Sequence, residues 1–213
     1  AKEIATLDII SGGRLTITVG VGGRTMDYEA VGAQFKGRFQ RMDEQIATMK
    51  RVWALETIVE GADPVGPGLA SPPKILAGVM GPKSTARVSQ WADGVFAWSG
   101  NGERNEIEHI ITMADAAWAD AGRSTKPYRL GGCWYTLADD GQQKLYDYVY
   151  KYLEFAGPEV AKMMAESVNR SSEDALNEAL DNLEAAGCEE IMLSPVTAEL
   201  AEVDRLAGVI ARR

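Results

Sequence analysis

Apolar positions along the chain keep two alternating rhythms. In residues 1–13 (AKEIATLDIISGG), Ile4, Leu7 and Ile10 recur at helical spacing and the run stops at Gly12 and Gly13, which predicts a helix with glycine just past its end. Residues 14–22 (RLTITVGVG) change period: Thr16, Ile17, Thr18 and Val19 are β-branched and bounded by glycines, as in a strand. From Asp27 to Glu56 the helical period returns, with Phe35, Phe39, Met42, Ile46, Met49, Val52 and Trp53 in one stripe. Pro64, Pro67, Pro72 and Pro73 then break either ladder. They predict a long connection inside one domain, because neither flank can bury its apolar face alone.

Downstream the same alternation continues. Strands are predicted at 74–81 (KILAGVMG), 95–100 (VFAWSG), 128–138 (YRLGGCWYTLA) and 189–197 (EEIMLSPVT), with helices at 82–94, 103–122, 139–155, 171–188 and 198–212. The helix over 139–155 carries the stripe Tyr146, Val149, Tyr150 and Leu153. Pro158 opens a further helix in its first turn, and Ser171 or Ser172 caps the one after it. Strand following helix throughout argues for a parallel sheet with helical crossovers. An open doubly wound sheet and a closed barrel both satisfy the pattern; a full barrel takes eight strands and about 250 residues, against five strands here.

Composition narrows the chemistry. At 213 residues and 46% hydrophobic content the chain can bury a core, and a net charge of −9 with scattered Lys and Arg offers no footprint for nucleic acid or an anionic membrane. No apolar run reaches the ~20 residues of a membrane span, and residues 1–10 lack the charge order of a signal peptide, so a cytoplasmic protein is expected. Cys133 and Cys188 stand far apart, without zinc or disulfide spacing. The single histidine, His109, reads as the surface of a helix whose apolar side carries Ile107, Ile110, Ile111 and Met113. Chemistry in such a chain is expected from a cofactor, with no metal.

Glycines gather at two predicted strand exits. Residues 19–24 (VGVGGR) fail the dinucleotide fingerprint, since no helix opens at once and no second strand arrives until Lys74. Residues 78–84 (GVMGPKS) fail the triphosphate loop, because Pro82 separates Gly81 from Lys83 and removes an amide donor. What remains is a strand end followed by a helix start, with Lys83 and Ser84 available to an anion. A compact turn with Lys83 in solvent fits the residues equally well.

Residues 5–32 (ATLDIISGGRLTITVGVGGRTMDYEAVG), 41–53 (RMDEQIATMKRVW), 72–96 (PPKILAGVMGPKSTARVSQWADGVF) and 186–197 (AGCEEIMLSPVT) resemble, in order and spacing, the bacterial luciferase-like flavin-dependent monooxygenases and their deazaflavin-dependent relatives. LDIISGGRL and WADGVF are the most specific segments. The resemblance implies a luciferase-like (β/α)8 TIM barrel over residues 1–213, an oxidoreductase binding FMN or the 8-hydroxy-5-deazaflavin coenzyme, and a small-molecule substrate. It implies a phosphate site made by Gly22, Gly23, Arg24 and Tyr28 at one exit and by Met80, Gly81, Lys83 and Ser84 at the other. Trp98, Ser99, Cys133, Tyr135 and Ser194 fall at other strand ends, where packing is the commoner role. Family members begin with three more strands, so this chain is expected to be a partial barrel with open sheet edges, pairing as a homodimer. The alternative is a non-catalytic truncated homologue that binds a phosphate-bearing ligand or a partner subunit.

Overall fold

The computed structural model describes residues 1–213. They form an α/β fold whose five strands take the sheet order β1-β2-β3-β4-β5, with helical connections between successive strands. Residues divide into two units, 1–94 with 117–127, and 95–116 with 128–213.

In the first unit α1 (Lys2–Ser11) ends as predicted: Gly12 adopts left-handed backbone (φ 69°), and the Gly13 amide returns to the Asp8 carbonyl at 2.9 Å. β1 (Thr16–Val19) and β2 (Lys74–Gly78) run parallel, with Thr16 opposite Lys74 and Val19 opposite Ala77. Between them the helical connection differs from expectation. The single helix expected over 27–56 is two, α2 (Thr25–Ala30) and α3 (Arg38–Trp53). Gly32 (φ 67°) and Gly37 (φ 76°) take left-handed backbone on either side of Phe35, and a helix cannot pass through either. Phe35 had the right spacing for the stripe but instead meets the Tyr28 ring edge-on, 5.2 Å between centroids. The remaining stripe holds: Ile46 and Trp53 bury against Ala5 and Ile75, with Met42, Met49, Ile17 and Val19 around them. α4 (Pro82–Val88) is also shorter than expected, giving way to a turn before β3 (Gly94–Trp98).

α5 (Arg104–Asp120) follows β3, and the second unit carries β4 (Tyr128–Tyr135) and β5 (Glu190–Pro195). These pair in parallel from Leu130 opposite Glu190 to Tyr135 opposite Pro195. Gly132 lets the chain close up here, since a Cβ would stand 2.7 Å from the Met192 carbonyl oxygen. One helix suffices for a crossover, but three intervene between β4 and β5: α6 (Gly141–Leu153), α7 (Pro158–Ser167) and α8 (Glu173–Ala185), with a 3₁₀ turn at Glu154–Ala156. Pro158 opens α7, and Ser172 caps α8 by accepting from the Ala175 amide at 3.2 Å, as the sequence predicts. α9 (Ala201–Ile210) closes the chain. Ala97, Ile107, Cys133, Ala179 and Leu183 form the buried layer between strands and helices. No helix is long and apolar enough to cross a membrane.

Candidate functional site

Parallel pairing decides which loops can share a ligand. Because Val19 faces Ala77, β1 and β2 end at the same side of the first unit, and a Cβ on Gly78 would lie 3.8 Å from the Val19 carbonyl oxygen. The loops carrying Gly22–Arg24 and Met80–Ser84 therefore leave adjacent strand ends. Beside the β1 exit is a groove of about 540 Å³ lined by Val19, Gly20, Arg41, Met42, Gln45 and Met49.

At the β2 exit two consecutive amides converge on one oxygen. Met80 N–H and Gly81 N–H both donate to Ser84 Oγ, at 3.3 and 3.2 Å, and that hydroxyl donates to the Gly81 carbonyl at 2.8 Å. Adjacent amides aimed at a single acceptor are the arrangement that holds an oxyanion, with the serine oxygen standing where an anion's oxygen would. Space adjoins it: a Cβ on Gly81 would meet nothing within 4 Å, and Met80 is fully exposed, so it fills no core space. Lys83 is exposed as well. Ser84, expected to lend its hydroxyl to a phosphate, instead satisfies its own loop. α4 has only seven residues, so the polar groups that this exit offers are these two amides and Lys83 rather than a helix dipole.

The β1 exit is built differently. Gly22 turns in left-handed backbone (φ 68°), with the Tyr28 ring 3.9 Å from where its Cβ would be. The Tyr28 hydroxyl donates to the Val21 carbonyl, and the Arg41 guanidinium lies 5.8 Å from the Tyr28 ring centroid. Tyr28 thus braces the loop from below. Arg24, half-buried in extended backbone, precedes α2, and Gly23 is exposed.

In the second unit three of the rim candidates, Ser99, Cys133 and Tyr135, are buried. Ser99 is buried, donates to Glu106 at 2.6 Å and accepts from the Glu103 amide at 2.9 Å, so it ties down the start of α5. Cys133 is fully buried and burial pushes its thiol up to about 12, which removes it as a nucleophile at neutral pH. Tyr135 is likewise held neutral, pushed up to about 12 by burial and then by the charge of Glu202. Trp98 meets Trp134 edge-on at 5.1 Å, in a cluster that reaches Tyr152 of α6; Ser194 is half-buried on β5. His109 is exposed on α5 as expected.

Sequence reasoning missed Arg170. Its side chain is 3% exposed and reaches Glu103 at 2.9 Å, Glu178 at 2.7 Å and the Asn101 carbonyl at 2.6 Å, while its own carbonyl accepts from Thr136 at 3.0 Å. One residue fastens the β3 exit, the β4 exit and α8. Its partners lie 8 to 69 positions away, beyond the reach of any local pattern.

The family model for luciferase-like monooxygenases matches residues 1–202. The chain belongs to the luciferase-like monooxygenase family. Within this family it is similar to the FMNH(2)-dependent dimethylsulfone monooxygenase of Pseudomonas fluorescens, 21% identical over 184 residues, or 80% of this chain and 48% of that one. It is also similar to the F420-dependent glucose-6-phosphate dehydrogenase of Intrasporangium calvum, 24% identical over 137 residues, 58% of this chain and 41% of that one. Its fold matches the monooxygenase RslO1 from Streptomyces bottropensis with a TM-score of 0.71 at 21% identity, covering 99% of this chain and 70% of that one. The chain spans less than half the length of the curated luciferase-like relatives it matches.

Proposed function

We propose that this chain is a flavin- or deazaflavin-dependent oxidoreductase of the luciferase-like group, holding the phosphate of FMN or of the deazaflavin coenzyme between the β1 and β2 exits. The observation that carries the reading is the convergence of the Met80 and Gly81 amides on a single oxygen beside the glycine turn at Gly22. Membership of a family with FMNH(2)- and F420-dependent relatives supports the choice of cofactor. When bound, such a cofactor supplies hydride or oxygen chemistry to a small-molecule substrate. The residues of this chain bind and orient. Met80 and Gly81 donate amides, Lys83 supplies a cation, Ser84 turns its hydroxyl from the loop to the phosphate, and Gly22 and Gly23 let backbone lie against the ligand. Arg24 adds a second cation, and Tyr28 keeps the β1 loop in shape.

A single barrel domain acting in the cytoplasm as a homodimer belongs to the same reading. The exposed apolar residues Leu7, Ile9 and Ile10 of α1 support self-association, which solution scattering measures. The decisive measurement compares FMN with riboflavin, which lacks only the phosphate. FMN is expected to bind roughly tenfold tighter or more, the value of one charge-assisted contact. Equal affinities, or no binding of FMN or deazaflavin, would remove the assignment.

A further inference from the structure

We propose that Asp43 is the positioning residue for the loop that leaves β2. It touches no ligand; it acts through α4. From α3, Asp43 Oδ2 lies 2.5 Å from a terminal nitrogen of Arg87 on α4, and Oδ1 accepts from the Trp91 indole N–H at 2.9 Å. Two helical turns along α3, Lys50 donates to the Trp91 carbonyl at 2.6 Å. Residues 87–91 are therefore gripped at three points by one face of α3. Asp93 fastens the far end to β2, accepting from the Ile75 amide and donating its own amide to the Ile75 carbonyl, both at 2.8 Å.

A seven-residue helix is too short to set its own direction, so the direction of α4 comes from this clamp. The clamp reaches the anion-binding amides because Ser84 Oγ and Thr85 Oγ1 on α4 both donate to the Gly81 carbonyl, at 2.8 and 2.9 Å. Tilting α4 moves Gly81 with it. Packing alone does not require an ion pair here. The Arg87 Nε is buried without an acceptor, a cost that an apolar pair would avoid. What the charged pair adds is a fixed orientation for α4.

This inference rests on the reading of that loop as phosphate-binding, and the test separates the two. Asp43→Asn removes the charge, and Trp91→Phe removes one N–H while leaving the Asp43–Arg87 pair. Each variant and the unaltered chain are titrated with FMN and with riboflavin, and amide hydrogen exchange is followed over residues 79–85 and 16–19. Asp43→Asn is expected to lose most of a roughly tenfold preference for FMN, keep riboflavin affinity within about twofold, and exchange faster over 79–85 but not over 16–19; Trp91→Phe shifts in the same direction by less. If both variants keep the preference and the exchange of the unaltered chain, Asp43 does not position the loop, while the phosphate reading stands. If the unaltered chain shows no preference, the phosphate reading fails and exchange over 79–85 alone decides whether Asp43 holds the loop. A misfolded Asp43→Asn protein would lose riboflavin binding too, and Trp91→Phe then decides.

Discussion

The strand exits of the two units are secured by opposite means. After β1 and β2 the loops are held by near neighbours: Ser84 three residues from Gly81, Tyr28 seven from Val21. After β3 and β4 they are held by Arg170, a buried cation whose partners come from three separate segments. Local fastening leaves the loops adjustable, since each is held by a neighbour that can turn with it. Long-range fastening removes that freedom and turns the second rim into frame.

Removing the frame should have the largest effect. Arg170→Met strands the Asn101 carbonyl and separates Glu103 from Glu178; because both glutamates reach solvent, the loss is expected at about 2–3 kcal/mol, read from the urea midpoint. FMN binding per folded molecule should change little. The first rim should answer in reverse: Lys83→Ala, at an exposed position, should leave the midpoint unaltered and weaken FMN binding roughly tenfold. Equal effects of both substitutions on stability and binding would erase the distinction drawn between the rims.

Alkali sharpens it further. Cys133 and Tyr135 are both pushed up to about 12, from ordinary values of 9.0 and 10.0, so the folded chain keeps their protons where the unfolded chain releases them. Their contribution is complete below pH 9 and declines as pH rises from there towards 12. By pH 10 a loss on the order of 1 kcal/mol is expected, with a Cys133→Ala variant declining less steeply than the unaltered chain.

Much of this was legible from spacing. Five strands, the glycine end of α1, Pro158 and the Ser172 cap all follow from local rules and appear where those rules put them. The break between α2 and α3 was also written in the sequence, as Gly32 and Gly37, but the apolar period through Phe35 and Phe39 masked it. Arg170 and Asp43 were not legible. A charged residue read from the chain alone looks solvated, and only the fold brings Glu103 to the one and Trp91 to the other. Ser84 was recognised as a donor, yet its neighbours in sequence gave no sign that it would turn inward.

The Ser84 hydroxyl keeps the Met80 and Gly81 amides engaged. Under the proposed phosphate site, capture would be a swap of one acceptor for another and not the filling of bare donors. A neutral ester of the same shape would then gain almost nothing over the serine it displaces. On the proposed reading, selectivity at this loop would come from the ligand's charge, which the hydroxyl cannot imitate.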